Sequence, residues 1–191
     1  MARTRGFDKD VALDRAMKLF WQHGYEGTSL DDLTAELGIA RPSLYAAFGN
    51  KRALFELALD RYGAAAGIAV DGALAEPRAV DVARAFLAMY VDVRPDCPRG
   101  CFLVQSSTPC SAESAEVQTA VLGRRRVVEQ LLTRRLQRAL DDGDLPAGAK
   151  PADLARYLTT VASGLSIQAT SGATAAQLRR VADLALTAWP T

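Results

Sequence analysis

Side chains suited to contacting nucleic acid are concentrated in residues 28–51. Arg41 can donate two hydrogen bonds to O6 and N7 of guanine, and Ser43 can hydrogen-bond to several base edges. Pro42 and Ala46 offer apolar surface that suits the methyl group of thymine. Groups that suit phosphate oxygens, namely hydroxyls and an ammonium, belong to Thr28, Ser29, Tyr45 and Lys51. This combination predicts a surface that binds double-stranded DNA.

A helix-turn-helix is predicted to position these side chains. Ser29 and Asp32 have the spacing of a capping box, so a helix begins there. Its apolar face consists of residues at helical spacing, Leu30, Leu33 and Leu37. Gly38 follows, and glycine readily adopts the positive φ that ends a helix. A second helix is predicted over about residues 41–48. Its inward-facing residues are Leu44 and Phe48.

The order of residues in this segment resembles the DNA-binding signature of TetR-family transcriptional regulators. The matching positions are Thr28-Ser29, Leu37-Gly38-Ile39, Ser43-Leu44-Tyr45, Phe48 and Asn50-Lys51. The similarity is close over residues 8–62, and the length and helical pattern of the remainder also fit the family. One departure is that Ala46 and Ala47 stand where the family commonly has His or Tyr. The set of base-reading residues is therefore left open.

The resemblance implies an all-α regulator with a DNA-binding domain over residues 1–50 and a ligand-binding and dimerisation domain over residues 51–191. In the family, the last two helices pair with their copies as a four-helix bundle, which here corresponds to residues 151–170 and 174–189. Such a homodimer presents two recognition helices about 34 Å apart to a palindromic operator. The family also implies a repressor that is released by a small-molecule inducer.

Charge is distributed in a way that fits DNA binding, although the net charge is only +1. Residues 40–52 contain basic side chains and no acid, and Arg3 and Arg5 lie in an acid-free N-terminal arm that can reach the backbone or the minor groove. No apolar run reaches the roughly 18 residues of a membrane helix, and the polar N-terminus does not resemble a secretory signal. We therefore expect a cytoplasmic protein.

Helical periodicity continues through the rest of the chain, and no alternating pattern long enough for a sheet is present. Capping residues predict helix starts at Asp8, Asn50 and Thr174. A long helix over about residues 114–141 carries arginines on its outer face, which we expect to be solvated or to form ion pairs between helices. The sequence therefore predicts an all-α fold of about nine helices.

The resemblance also implies a cavity for a small molecule among the helices of residues 78–170. Aromatic and soft side chains in this range suit an apolar ligand: Phe86, Met89, Tyr90, Cys101, Phe102, Gln105 and Tyr157. For any one of these residues, ordinary core packing is the alternative. The sequence shows no cofactor motif.

The three cysteines leave a second hypothesis open. Residues 98–104 resemble the Gly-Cys segment of a TetR subgroup that includes electrophile-responsive repressors. Arg99 can lower the pKa of the neighbouring Cys101 thiol, and Cys97 and Cys110 can then form a disulfide with it. An inert buried thiol is the alternative, and the Cys-x3-Cys spacing is a weak indication of a metal site.

An enzyme is the remaining alternative, and the sequence offers little for it. His23 is the only histidine, and its place in the last turn of a predicted helix suits an interaction with the helix dipole. The carboxylates are scattered, and no glycine-rich phosphate loop is present. A cysteine-dependent enzyme that uses Cys101 would have no evident base.

Overall fold

The computed structural model describes residues 7–92, 97–107 and 114–190. These residues form helices and no strands, as the sequence predicted. The helices are α1 (Lys9–His23), α2 (Leu30–Leu37), α3 (Arg41–Phe48), α4 (Lys51–Leu74), α5 (Ala79–Ala88), α6 (Phe102–Gln105), α7 (Ala115–Asp141), α8 (Pro151–Thr170) and α9 (Ala175–Leu186). No helix of the described residues is long and apolar enough to span a bilayer.

The predicted helix starts are confirmed by hydrogen bonds at the caps. Asp8 accepts hydrogen bonds from the N–H groups of the first turn of α1, and Asn50 does the same for α4. Thr174 forms a complete capping box with Gln177 at the start of α9. These side chains satisfy backbone donors that have no partner inside the helix.

The buried side chains form two hydrophobic cores. The head core, which lies among α1, α2, α3 and the first half of α4, contains Phe20, Leu33, Leu44 and Phe55. The body core lies among α5, the second half of α7, α8 and α9. α4 contributes to both cores, because Leu59 belongs to the first and Ala73 to the second. α4 is continuous over 24 residues despite the glycines in its second half, so one rigid element joins head to body.

Residues of the body also enter the head core. Phe102 of α6 and Val121 of α7 are fully buried there. The ring of Phe102 lies 5.6 Å from that of Phe55 and 5.7 Å from that of Tyr62, both in edge-to-face geometry. The two parts of the chain therefore share packed aromatic side chains.

Ion pairs also connect the two parts of the chain. Some of them involve arginines on the arginine-rich face of α7. Arg124 of α7 pairs with Asp60 of α4, and Arg52 of α4 pairs with Glu116 of α7. Arg135 donates to the carbonyl oxygen of Leu74, the last residue of α4, and to those of Glu76 and Pro77 just after it. The expectation of ion pairs between helices is confirmed for Arg124, whereas Arg135 binds backbone instead.

Candidate nucleic-acid interface and body cavities

The turn between α2 and α3 has the predicted conformation. Gly38 has φ 66°, in the left-handed region that glycine adopts without strain. The N–H of Ile39 donates to the carbonyl oxygen of Thr34 at 3.2 Å, and the Ile39 side chain packs against the head core. This turn fixes the direction in which α3 leaves the head.

α3 has one buried face and one exposed face. Leu44 and Phe48 are buried in the head core. The opposite face exposes Arg41, Pro42, Tyr45 and Ala46, and Ser43 is half-buried beside it. The structure thus places the predicted base-reading side chains on a single surface with the predicted phosphate contact Tyr45.

Arg41 is held by an acid on the neighbouring helix. Its guanidinium donates to Oδ1 of Asp31 at 2.7 Å, and both side chains are exposed. The hydrogen bond from this carboxylate raises the pKa of Arg41 above its ordinary value. Because the pair is solvated, the guanidinium can leave Asp31 at little cost and reach a base or a phosphate.

Two lysines lie near the C-terminal end of α3. Lys51, at the start of α4, is half-buried with its ammonium 4.4 Å from the centre of the Tyr25 ring, and this burial lowers its pKa. Lys9 of α1 donates to the carbonyl oxygen of Ala47 at 3.4 Å, at the end of α3. Sequence reasoning missed Lys9, because only the packing of α1 against the helix-turn-helix brings it there.

The structure separates Thr28 from Ser29. Thr28 is fully buried, and its hydroxyl donates to the carbonyl oxygen of Gly24 at 2.7 Å. A phosphate contact through this hydroxyl does not fit the geometry, because the group is inaccessible and already bonded. Ser29 is exposed at the N-terminus of α2, where its hydroxyl takes part in the capping box with Asp32. These hydrogen bonds lower the pKa of Asp32.

Three predicted positions lie outside the described residues: Arg3, Arg5 and Cys110. His23 ends α1, as predicted. No group of histidine, cysteine and acidic side chains in the described ranges is arranged to hold a metal ion.

The body contains two adjoining cavities. The apolar cavity, of about 630 Å³, lies beside α4 and is lined by Trp21, Tyr62, Ala69, Met89 and Cys97, among others. The arginine cavity, of about 370 Å³, lies between α7 and α8 and is lined by Ser107, Arg125 and Ser163, among others. Four residues line both cavities: Tyr90, Cys101, Leu103 and Val128.

The structure brings together only part of the predicted ligand site. Met89, Tyr90 and Cys101 line the apolar cavity. Phe86 and Phe102 are fully buried in the body core and the head core respectively, so they are packing residues.

Gln105 and Tyr157 also lie away from the apolar cavity. The Gln105 side chain donates to the carbonyl oxygen of Arg99 at 2.6 Å. Tyr157 of α8 is half-buried against the body core, and its hydroxyl donates to the carbonyl oxygen of Ala185 on α9 at 2.7 Å. Helical periodicity could not separate the two cores from the cavity, because all three present apolar faces.

Cys101 lies where the cavities meet. Its backbone N–H donates to Oγ of Ser166 at 2.7 Å, and its sulfur accepts a hydrogen bond from the Tyr62 hydroxyl at 3.2 Å. Burial raises the pKa of Tyr62 well above its ordinary value, so the phenol stays protonated and able to donate. Cys97 and Cys101 are both free thiols.

Comparisons with known proteins agree with this geometry. Residues 12–58 match the family "Bacterial regulatory proteins, tetR family", and residues 76–185 match "Tetracyclin repressor-like, C-terminal domain". The chain is 37% identical to the HTH-type transcriptional repressor ComR of Escherichia coli (strain K12), over 98% of this chain and 91% of that protein.

Solved structures are similar as well. A cysteine mutant of the TetR family transcriptional regulator CifR, complexed with 26bp double-strand operator DNA, is 38% identical with a TM-score of 0.91 and covers 99% of this chain and 100% of its own. A putative TetR transcriptional regulator from Rhodococcus sp. RHA1 is 44% identical with a TM-score of 0.61, covering 96% of this chain and 100% of its own.

Proposed function

The chain belongs to the TetR family of bacterial regulatory proteins, and on that basis we propose that it is a homodimeric transcriptional repressor. It binds a palindromic operator in the cytoplasm and leaves it when a small molecule enters the body. Membership of a family of regulators replaces the alternative of a cysteine-dependent enzyme. The observation that carries the proposal is the exposed face of α3, which the glycine turn presents on the surface of the head.

α3 enters the major groove in this proposal. Arg41 and Ser43 contact base edges, and Pro42 and Ala46 contact thymine methyl groups. The proposed backbone contacts are Arg3, Arg5, Lys9, Ser29, Tyr45 and Lys51. Lys9 and Lys51 suit this role because both lie near the C-terminal end of α3, where they can face phosphates while α3 lies in the groove.

Dimerisation through residues 151–170 and 174–189 is supported by an apolar surface on α8 and α9. Ile167, Val181 and Leu184 are 55%, 51% and 68% exposed. Val181 and Leu184 line a groove of about 640 Å³ between the two helices, together with Gly164 and Tyr157. Exposed apolar side chains of this size favour contact with a second copy, which would bury them in a four-helix bundle.

The Cys101–Phe102 step is the proposed connection between ligand and DNA. Cys101 lines both cavities, whereas the next residue is buried in the head core against Phe55 and Tyr62. A ligand that displaces Cys101 also displaces Phe102, because the two residues are adjacent in the chain. The side chains around Phe102 in the head core must then repack. The ligand then favours the arrangement in which the two heads no longer match successive grooves, by its higher affinity for that arrangement.

Selection of duplexes from a randomised pool tests the function. We expect the full-length protein to enrich a palindrome whose half-sites lie about one helical turn apart. We also expect analytical ultracentrifugation to show a dimer, both free and on the DNA. A monomer that enriches no sequence at low salt would overturn the proposal.

Thiol sensing is a second candidate, favoured by the position of the cysteines. Cys97 and Cys101 line the same apolar cavity, and the Tyr62 hydroxyl donates a hydrogen bond to the Cys101 sulfur. With hydrogen peroxide as oxidant, the two thiols would form one disulfide, and the peroxide would be reduced to two water molecules. Peroxide should then release operator DNA from the native protein and not from the Cys101→Ser variant. Equal release from both would remove this candidate.

A further inference from the structure

Arg125 of α7 is a half-buried cation in the wall of the arginine cavity. Its guanidinium donates to Oγ of Ser107 at 2.9 Å and to Oγ of Ser163 at 2.7 Å. Both hydroxyls donate onward to backbone carbonyl oxygens, of Leu103 and Thr159, so they serve Arg125 as acceptors. The residues around Arg125 therefore fix the direction of its side chain without neutralising its charge.

The acids near Arg125 in the described part of the chain are engaged elsewhere. Glu129 lines the same cavity, but its carboxylate accepts from Arg156 at 2.9 Å. Asp60 on α4 pairs with Arg124, the residue before Arg125. Among the described residues, no carboxylate forms an ion pair with Arg125, and its two hydrogen bonds use two of the five N–H donors of a guanidinium.

A second donor, the Tyr90 hydroxyl, lines the same cavity. Burial, and then the nearby Cys101 thiol, raises the pKa of Tyr90, and this effect outweighs the opposing influence of Arg125. The phenol therefore keeps its proton and can donate a hydrogen bond. A guanidinium and a phenol that face one cavity match the acceptor oxygens of a carboxylate, which arginine binds with charge-assisted hydrogen bonds.

The adjoining apolar cavity suits a different part of the same molecule. Its wall on α4 consists of Tyr62 and of small and apolar side chains, Ala65, Ala66, Ile68, Ala69 and Val70. Asp92 and Arg99 also line this cavity, and Asp92 pairs with Arg179. The cavities meet at Tyr90, Cys101, Leu103 and Val128, so a ligand can pass from one into the other. Cavities of these sizes are in the range of roughly 300–1,000 Å³ that holds small organic ligands.

We infer that the inducer is a small carboxylic acid with an apolar body, bound with its carboxylate at Arg125 and its body in the apolar cavity. This inference rests on the proposed function, since it names the class of ligand that releases the operator. It replaces the expectation of a purely apolar ligand. The sequence predicted only that the arginines of α7 are solvated or form ion pairs between helices. The packing of α6 and α8 against α7 makes Arg125 part of a cavity wall.

Isothermal titration of the DNA-free, full-length protein tests the inference. The probes are octanoate and 4-phenylbutyrate, each compared with its primary amide, which has nearly the same shape and no charge. We expect each carboxylate to bind the native protein at least about tenfold more tightly than its amide, because a hydrogen bond to a charged group contributes more than a neutral one.

Variants assign that preference to one side chain. Arg125→Gln should lose the preference for the carboxylate and keep the weak binding of the amide. Arg125→Lys keeps the charge and should retain much of the preference, and Arg134→Gln, on the exposed face of α7, should behave as the native protein. Circular dichroism melts show whether each variant folds. If Arg125→Gln does not fold, Tyr90→Phe tests the site instead, because it removes the second donor and should reduce the preference for the carboxylate.

Equal affinities for acid and amide, or a preference that survives in Arg125→Gln, would overturn the inference. A separate gel shift with operator DNA distinguishes a failure of this inference from a failure of the proposed function. Carboxylate binding through Arg125 without operator binding would refute the repressor and leave the anion site standing. Operator binding without any carboxylate preference would refute the anion site alone.

Discussion

Replacing Arg41 with glutamine should weaken operator binding by about 5- to 150-fold, the range expected when one arginine contact to guanine is lost. The structure explains why most of this loss of affinity should come from the missing DNA contact and not from the missing ion pair within the protein. Arg41 and its partner Asp31 have side chains that are 53% and 78% exposed, so their ion pair is screened and worth less than about fivefold in any equilibrium. Releasing the arginine from Asp31 is therefore cheap.

Asp31→Asn is the matched control for this reasoning. It frees Arg41 and removes a negative charge beside the proposed DNA surface, so affinity should rise, by up to about fivefold. Fluorescence anisotropy with labelled operator and with a scrambled duplex, at several salt concentrations, measures both variants and the double variant. If Arg41 contacts a base, Arg41→Gln lowers the affinity for operator more than that for the scrambled duplex.

Two results would refute the reasoning. If Arg41→Gln and Asp31→Asn weaken binding equally, the pair matters for the shape of the helix-turn-helix and not for DNA contact. If Arg41→Gln lowers affinity for both duplexes alike and reduces the salt dependence, Arg41 contacts phosphate and reads no base.

Three further predictions concern packing, assembly and acid stability. Phe102→Ala should lower the free energy of unfolding by about 3–5 kcal/mol in denaturant melts, because the ring is fully buried in the head core. Leu184→Asp should convert the dimer to a monomer in analytical ultracentrifugation and weaken operator binding, because it puts a charge on the most exposed apolar residue of the proposed interface. The pKa of Asp32 is lowered by Ser29 in the folded protein, so its stabilising effect is complete above the unfolded pKa of about 3.9 and is lost as the pH falls through the lower folded pKa. Thermal melts of Asp32→Asn should therefore depend less on pH in the acid range.

Each of these predictions has a clear contrary result. An unchanged free energy of unfolding in Phe102→Ala would remove α6 from the head core. A dimer that persists in Leu184→Asp, while the control Gln130→Asp on the exposed face of α7 behaves as the native protein, would move the interface elsewhere. If the melting temperatures of Asp32→Asn and the native protein fall equally as the pH is lowered, other carboxylates determine the stability in acid.

The local elements were largely predictable because their signals are local. The capping box at Ser29, the glycine at position 38 and the apolar spacing of α2 act within a few residues of one another, so the sequence predicts them directly. The exposed face of α3 followed from the same periodicity. Thr28 was the exception, since its neighbours in sequence do not show that its hydroxyl is buried against Gly24.

The body was less predictable, because its features depend on which apolar faces meet. Phe86, Met89 and Phe102 have similar side chains, yet one lies in the body core, one lines a cavity and one enters the head core. Arg124 and Arg125 are neighbours on one arginine-rich helix, but one pairs with an acid on α4 and the other lines a cavity.

Sequence alone determined where the capped helices α1, α2, α4 and α9 begin and where apolar residues recur at helical spacing, because caps, glycines and spacing act over a single turn. Tertiary packing decided where the space between helices remains, and hence which of several similar side chains can meet a ligand. The difference is physical: the free energy of a cap depends on adjacent backbone groups, whereas a cavity exists only where surfaces far apart in the chain fail to fill the volume between them. No residue near Arg125 in the sequence indicates its role. That role arises only because α6 and α8 pack against α7 and enclose its side chain in a cavity wall.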